Sequence, residues 1–306
     1  HVPLEPRAAV AAWNGDAVTI HCGVQAPFLV RQEVAQALKV PQANVRIVAM
    51  DAGGAFGGKQ RGECEVEAAR LSRLAGAPVR VAWTREEEFT CSYTRPAGLI
   101  EIESGVNTDG RLIAMRFANY NSGAAGITPP YEILNHGVGF YRTTAAVRQG
   151  SYRSLAAVAN NFARESHMDE WAADLKIDPV EMRLRNISDV RLREVIERTA
   201  ERFGWGRVRS ENGRGVGISC NLEKDARLAL CVEVETVGAS VRIVRMVATG
   251  DFGAALNPDN LRSQMTGALI QGIGGALWEK VTFDDTSQLT RRLSHYRVPR
   301  FSDLPE

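Results

Sequence analysis

The run Asp51-Ala52-Gly53-Gly54-Ala55-Phe56-Gly57-Gly58-Lys59-Gln60 sets four glycines around one aromatic residue. Before it, Val45-Arg46-Ile47-Val48-Ala49-Met50 is apolar enough to be a buried strand. After it, Cys64, Ala68, Leu71 and Ala75 recur at helical spacing, which predicts a helix from Glu63 to Ala75. Strand, glycine loop and helix in succession let bare backbone N–H groups face an anion, aided by the positive end of the helix. Glycine permits positive φ and lets a ligand approach the main chain closely. The segment is read as a cradle for a phosphorylated or oxyanionic group. An ordinary strand-to-helix turn is the plainer reading of the same glycines.

A nucleotide P-loop is a further reading. Gly53, Gly58 and Lys59 match its first part, but the Ser or Thr that would hold magnesium is replaced by Gln60. That mismatch counts against a nucleotide hydrolase.

The loop also resembles the glycine–phenylalanine loop of the molybdenum hydroxylases, the xanthine oxidase and aldehyde oxidase family. Ala55 stands where that family usually has a third glycine. Other blocks agree in order and spacing. They are Gly23-Val24-Gln25-Ala26-Pro27-Phe28, Arg148-Gln149-Gly150-Ser151-Tyr152-Arg153, the stretch Asn161 to Glu170, Asp178 to Asn186, and Phe252 to Pro258 followed by Gln264 and Gln271-Gly272-Ile273-Gly274. The resemblance covers nearly the whole chain and is nearest to bacterial isoquinoline 1-oxidoreductase-like and aldehyde dehydrogenase large subunits.

The resemblance implies an α+β fold of two mixed α/β molybdenum-cofactor-binding domains, with antiparallel hairpins and packed helices. It implies a molybdopterin cofactor, cytosine dinucleotide being the usual bacterial form, that holds the metal without a protein ligand. Carried over residue by residue, Gln25 approaches the oxo group, and Gly54, Phe56 and Gly57 line the cofactor through their backbone. Ser151 and Tyr152 present amides, Arg153 contacts cofactor or substrate oxygens, and Gln264 binds the pterin. Gln60 stands where xanthine-type enzymes place a substrate-reading glutamate, which disfavours a purine. The implied substrate is an aldehyde or an N-heteroaromatic ring, with water as oxygen source. Electrons would leave through iron–sulfur clusters on a separate small subunit, and the resemblance admits a flavin or cytochrome subunit as well.

The family's general base, a glutamate in a Gly-Glu segment, has no counterpart before Pro305-Glu306, and its Gly-Gln-Gly motif is absent between Trp205 and Cys231. No catalytic residue and no metal ligand is therefore assigned here. The chain is expected to be a middle fragment, inactive alone, and His1-Val2-Pro3-Leu4 is not read as a natural beginning. A cofactor-free binding or assembly module of the same fold is the rival reading, favoured by Ala55 and the missing base.

Composition narrows the classes. The chain has 306 residues, which suits about two domains, and 37 Lys+Arg against 36 Asp+Glu leave a net charge of +1. That balance offers no electrostatic case for nucleic acid or an anionic membrane. No apolar run is long enough to span a bilayer, and no signal-peptide pattern opens the chain. Cys22, Cys64, Cys91, Cys220 and Cys231 contain no Cys-x-x-Cys, so neither a zinc ribbon nor an iron–sulfur centre is supported. Cytoplasm and periplasm both stay open.

Periodicity predicts strands at Ala17–Gly23, Pro78–Trp83, Ala229–Glu235, Val241–Ala248 and Val281–Phe283. A hairpin is expected from Leu99–Val106 and Arg111–Tyr120 through Asp109-Gly110. Helices are expected over Pro27–Val40, Leu155–Leu175, the stretch capped by Asp178, Asp189–Phe203, and Asn257 to about Leu277, with a short helix or turn at Thr84–Phe89. Ser122–Pro130 reads as loop. Trp205–Arg214 reads as a linker, which places the first domain at 1–205 and the second, incomplete, at 206–306.

Overall fold

In the computed structural model, which describes residues 1–207 and 213–305, the chain forms two units, neither continuous in sequence. The first comprises His1–Pro96, Ala145–Arg153 and Lys280–Tyr296. Its sheet is built from β1 (Ala8–Asn14), β2 (Ala17–Gly23), β3 (Val45–Met50) and β4 (Val79–Ala82), in the order β3-β2-β1-β4. β1 runs antiparallel to β2 and β4, whereas β2 and β3 are parallel. Helix α1 (Pro27–Leu38) links that parallel pair, α2 (Glu63–Ala75) connects β3 to β4, and α3 (Arg85–Thr90) follows β4.

Alternation along β1 and β2 sends Ala9, Ala11, Val18, Ile20 and Cys22 into one core with Val30 and Val34 of α1 and Cys64, Ala68 and Ala69 of α2. The alanines let helix and sheet approach closely, and with so few β-branched residues β1 is not foreseen from the sequence. The expected short helix after β4 forms with a full capping box, Thr84 accepting from the Glu87 N–H and the Glu87 carboxylate accepting from the Thr84 N–H. The strand expected at Val281–Phe283 is reduced to a bridge between Phe283 and Gln288. The Asp284 carboxylate turns the chain there by accepting from the N–H groups of Thr286 and Ser287, each at 2.8 Å.

Glu65 on α2 is 3% exposed, and one of its carboxylate oxygens has no hydrogen-bond partner. Burial pushes its pKa up to about 7, against the pull of the Cys22 thiol and Arg7. A folded-state pKa raised above the ordinary carboxylate value means that this group's contribution is full below about pH 4.5 and is lost as pH rises through about 7. Glu65→Gln is expected to remove about 3 kcal/mol of that pH dependence. Thermal midpoints of both proteins across this interval check it; parallel pH profiles would contradict it.

The second unit, Ala97–Thr144, Ser154–Glu279 and the segment from Arg297, holds two three-stranded sheets. In one, β5 (Leu99–Val106) pairs antiparallel with β6 (Leu112–Tyr120), and β7 (Asn135–Tyr141) adds parallel to β6. The Asn107 carboxamide turns the hairpin by accepting from the N–H groups of Asp109 and Arg111. In the other, β8 (Arg214–Glu223), β9 (Ala226–Val237) and β10 (Ser240–Asp251) form an antiparallel meander. Helices α4 (Ala157–Leu175), α5 (Pro179–Arg185), α6 (Val190–Phe203) and α7 (Pro258–Leu277) complete the unit. The expected caps are present, Asp178 on α5 and Asn257 on α7, and Asp189 caps α6 in the same way.

The middle of the expected linker, residues 208–212, lies outside the described residues. Periodicity does not foresee β7 or β8. β7 carries Asn135, His136 and two glycines, a poor strand composition that pairing with β6 overrides.

The blocks Asn161–Glu170 and Asn186 with its preceding helix meet in a buried polar network. Glu165 accepts from the Tyr131 hydroxyl at 2.7 Å, from Arg183 Nε at 2.9 Å and from the Cys220 N–H at 2.9 Å. Arg183, fully buried, also holds Asp169 at 2.8 Å. The Asn186 carboxamide accepts from the Leu112 N–H and donates to the carbonyls of Gly110 and Met182. These blocks join the β5–β6 hairpin to α4 and α5.

Candidate cofactor cradle

Parallel pairing of β2 and β3 brings their C-terminal ends together, with Gly23 opposite Met50. The chain leaving β2 reaches Gln25, and the chain leaving β3 enters the glycine loop, so one sheet edge carries both. They are bonded to each other. The Gln25 N–H donates to the Lys59 carbonyl at 2.9 Å, and the Lys59 N–H donates to the Gln25 carboxamide oxygen at 3.2 Å. The carboxamide nitrogen of Gln25 meets no acceptor among the described residues.

The loop closes on itself through the Gly58 N–H donating to the Ala55 carbonyl at 2.8 Å. Phe56 and Gly57 take φ values of 54° and 98°. The Phe56 ring folds back over Gly54, within 3.3 Å of where a Cβ would stand there. Ala55, the departure from the usual glycine, is absent from the positive-φ residues, so its methyl group costs the loop no backbone strain. The second candidate segment lies against this turn. The Arg153 N–H donates to the Phe56 carbonyl at 2.9 Å, and a Cβ on Gly57 would fall 2.5 Å from the Ser151 carbonyl oxygen. Tyr152 is buried beneath the Arg95 guanidinium, which stands 4.0 Å from its ring centroid.

The backbone N–H groups of Gly54, Ala55, Phe56 and Gly57 meet no acceptor among the described residues, although Ala55 and Gly57 are buried. Buried amides are ordinarily paired, and a run of open ones suits a ligand rich in oxygen acceptors. This is the feature that fits an oxyanionic or phosphorylated cofactor.

The helix N-terminus plays a different part from that expected. The Gly62 N–H at the start of α2 is taken by the Glu33 carboxylate at 2.8 Å, and Glu63 and Glu65 fill the first turn. The open donors belong to the loop alone. Lys59 is also committed. Its ammonium lies 2.6 Å from Glu5, whose carboxylate is held below its ordinary pKa by that bond and by the Gly53 N–H. A P-loop lysine must reach phosphate, and this one is 3% exposed and paired.

Gln25, Gly54, Phe56, Gly57, Ser151, Tyr152 and Arg153 all fall in the first unit, and Gln264 lies on α7 in the second. Sequence reasoning missed Glu5, Arg7, Glu33 and Tyr93. Arg7 donates to the Gly58 carbonyl, pairs with Glu88 at 2.9 Å and reaches Ser92 at 2.9 Å. Tyr93 donates its hydroxyl to the Gly57 carbonyl at 2.5 Å. No spacing rule marks these residues, because each acts on the loop from distant sequence.

Molybdopterin cofactor-binding domain profiles match residues 1–187 and 226–305. The chain therefore belongs to the molybdopterin cofactor-binding domain family of the molybdenum hydroxylases. It is 28% identical to a nicotinate dehydrogenase polypeptide of Pseudomonas putida, over all of this chain and 29% of that one. It is 26% identical to an isoquinoline 1-oxidoreductase polypeptide, the beta component, of Brevundimonas diminuta, over 99% of this chain and 42% of that one. It thus spans less than half the length of these relatives. Among solved structures, quinoline 2-oxidoreductase from Pseudomonas putida 86 superposes with a TM-score of 0.89 at 17% identity, covering all of this chain and 66% of that one, a likeness of fold.

Proposed function

We propose that this chain is the molybdopterin-binding portion of a molybdenum hydroxylase that oxidises an N-heteroaromatic substrate or an aldehyde and passes electrons to a separate iron–sulfur subunit. When bound, the molybdenum–pterin group supplies the two-electron oxidation, with water as the oxygen source. The chain's own residues position it. The open N–H row from Gly54 to Gly57 donates to its oxygen atoms, and the Gln25 carboxamide nitrogen, fixed by the bond from Lys59, donates beside them. Ser151, Tyr152 and Arg153 carry the opposing segment, and Gln264 takes the pterin. The tail is proposed to be cytosine dinucleotide, and the general base is assigned to no residue of this chain. The sequence domains are proposed to be 1–205 and 206–306, in line with the family matches over 1–187 and 226–305, although the compact units of the fold divide the chain elsewhere.

The observation that carries this reading is the open amide row in a loop whose neighbouring polar groups are paired. The heteroaromatic class is supported by relatives named for nicotinate and isoquinoline. Elemental analysis of the purified protein with its partner subunits is expected to find molybdenum stoichiometric with this chain, and oxidation to release a fluorescent pterin. A folded complex carrying neither would place the chain with the cofactor-free modules.

A further inference from the structure

A trans peptide points its carbonyl and its N–H in opposite directions. Fixing a carbonyl therefore aims the N–H of the next residue. In the glycine loop the Ala55 carbonyl is held by the Gly58 N–H, which aims the Phe56 N–H, and the Phe56 carbonyl is held by the Arg153 N–H, which aims the Gly57 N–H. The next two carbonyls are held by side chains. Tyr93 donates to Gly57 at 2.5 Å, and Arg7 donates to Gly58. Without these bonds the peptide planes after Phe56 can rotate, since glycine has no side chain to restrict them.

Tyr93 does more than hold one carbonyl. Its hydroxyl also accepts from the Gln60 N–H at 3.4 Å, spanning the C-terminal half of the loop. Its ring lies against Gly150, where a Cβ would overlap the ring atoms. Thr94, the next residue, pairs with the same segment: its N–H donates to the Arg148 carbonyl at 2.9 Å and its carbonyl accepts from the Gly150 N–H at 3.0 Å. The His1 ring packs edge-on against Tyr93, and its Nε2 lies 2.6 Å from the Ser151 carbonyl oxygen, to which it donates. One side chain thus touches both backbone segments of the cradle. Burial raises the phenol's pKa, so at neutral pH it keeps the proton that the Gly57 carbonyl requires.

We propose that Tyr93 is a positioning residue of the cofactor cradle, setting through its hydroxyl the Gly57–Gly58 peptide plane, whose N–H holds the Ala55 carbonyl and so aims the open Phe56 N–H, and through its ring the register of residues 148–153. The inference rests on the cofactor reading above. It makes Gly150 a dependent position, glycine being needed there because the Tyr93 ring occupies the space of any side chain.

The test uses the purified enzyme complex with Tyr93→Phe, which keeps the ring and removes the hydroxyl, and with Tyr120→Phe as a control at a hydroxyl of the second unit. Molybdenum and pterin per chain are expected to fall about tenfold in Tyr93→Phe, as loss of one well-placed hydrogen bond implies. The thermal midpoint should fall by no more than about 2–4 °C. Amide hydrogen exchange of the cofactor-free protein supplies a readout independent of loading: the protected N–H groups of Gly58, Lys59 and Arg153 are expected to exchange faster in Tyr93→Phe and unchanged in Tyr120→Phe. Wild-type molybdenum content in Tyr93→Phe, or unaltered exchange at those amides, would overturn the proposal. A wild-type complex without molybdenum would overturn the cofactor reading, and the cradle role of Tyr93 with it, even where exchange responds.

Discussion

Gly57→Ala is expected to empty the cradle and to destabilise the first unit by about 2–4 kcal/mol. Backbone and surroundings combine against the methyl group. The residue sits at φ 98°, outside the regions an L side chain adopts without strain. The Cβ would stand 2.5 Å from the Ser151 carbonyl oxygen, 2.8 Å from its carbon and 3.1 Å from Tyr152 Cα. Those neighbours are backbone, so no flexible side chain can swing away. Relief requires separating the loop from residues 151–153, which breaks the bond from the Arg153 N–H to the Phe56 carbonyl. Molybdenum per chain should fall to background, and the thermal midpoint of the first unit should drop. Gly217→Ala is the comparison: it lies on β8 with nothing within 4 Å of a Cβ and should leave both values close to wild type. Molybdenum retained by Gly57→Ala would show that the cradle does not need the approach of these two segments.

The second large effect lies in the second unit. Arg183→Met is expected to cost about 3–5 kcal/mol, because it strips buried Glu165 of its closer, hydrogen-bonded guanidinium and leaves only Arg164, 3.7 Å away. The Arg183 guanidinium has no exposure; it holds Glu165 at 2.9 Å and Asp169 at 2.8 Å and donates to the carbonyls of Pro179 and Glu165. Chemical denaturation should show a lower midpoint with a similar slope. Combining Arg183→Met with Glu165→Leu should cost less than the sum of the single changes, since the second removes the stranded charge. Strict additivity would mean that the pair does not interact.

Periodic elements were legible in the sequence wherever one pattern decided them. The helices at Asp178, Asp189 and Asn257 begin at residues whose side chains cap them. The β5–β6 hairpin follows from Asp109-Gly110 between alternating runs. The glycine loop and residues 148–153 were legible as motifs, and their contact through Phe56 and Arg153 was not. Long-range bonds leave no periodic trace. β7 was hidden because its glycines and histidine contradict strand propensity and only its neighbour compels extension. The helix N-terminus was misjudged for a related reason: Glu33, from the preceding helix, takes the donor that local sequence left open. Arg7 and Tyr93 were invisible because an arginine or tyrosine that supports a main-chain carbonyl looks like any other.

The open row of main-chain donors has an evolutionary consequence. A ligand held by peptide groups asks little of side-chain identity, only that the backbone follow the same path. Substitutions can therefore accumulate around such a loop while its grip persists, provided glycine stays where bulk is forbidden. Descendants of one ancestral scaffold could then drift apart in almost every residue and specialise for different molecules without ever having to reinvent how the prosthetic group is grasped.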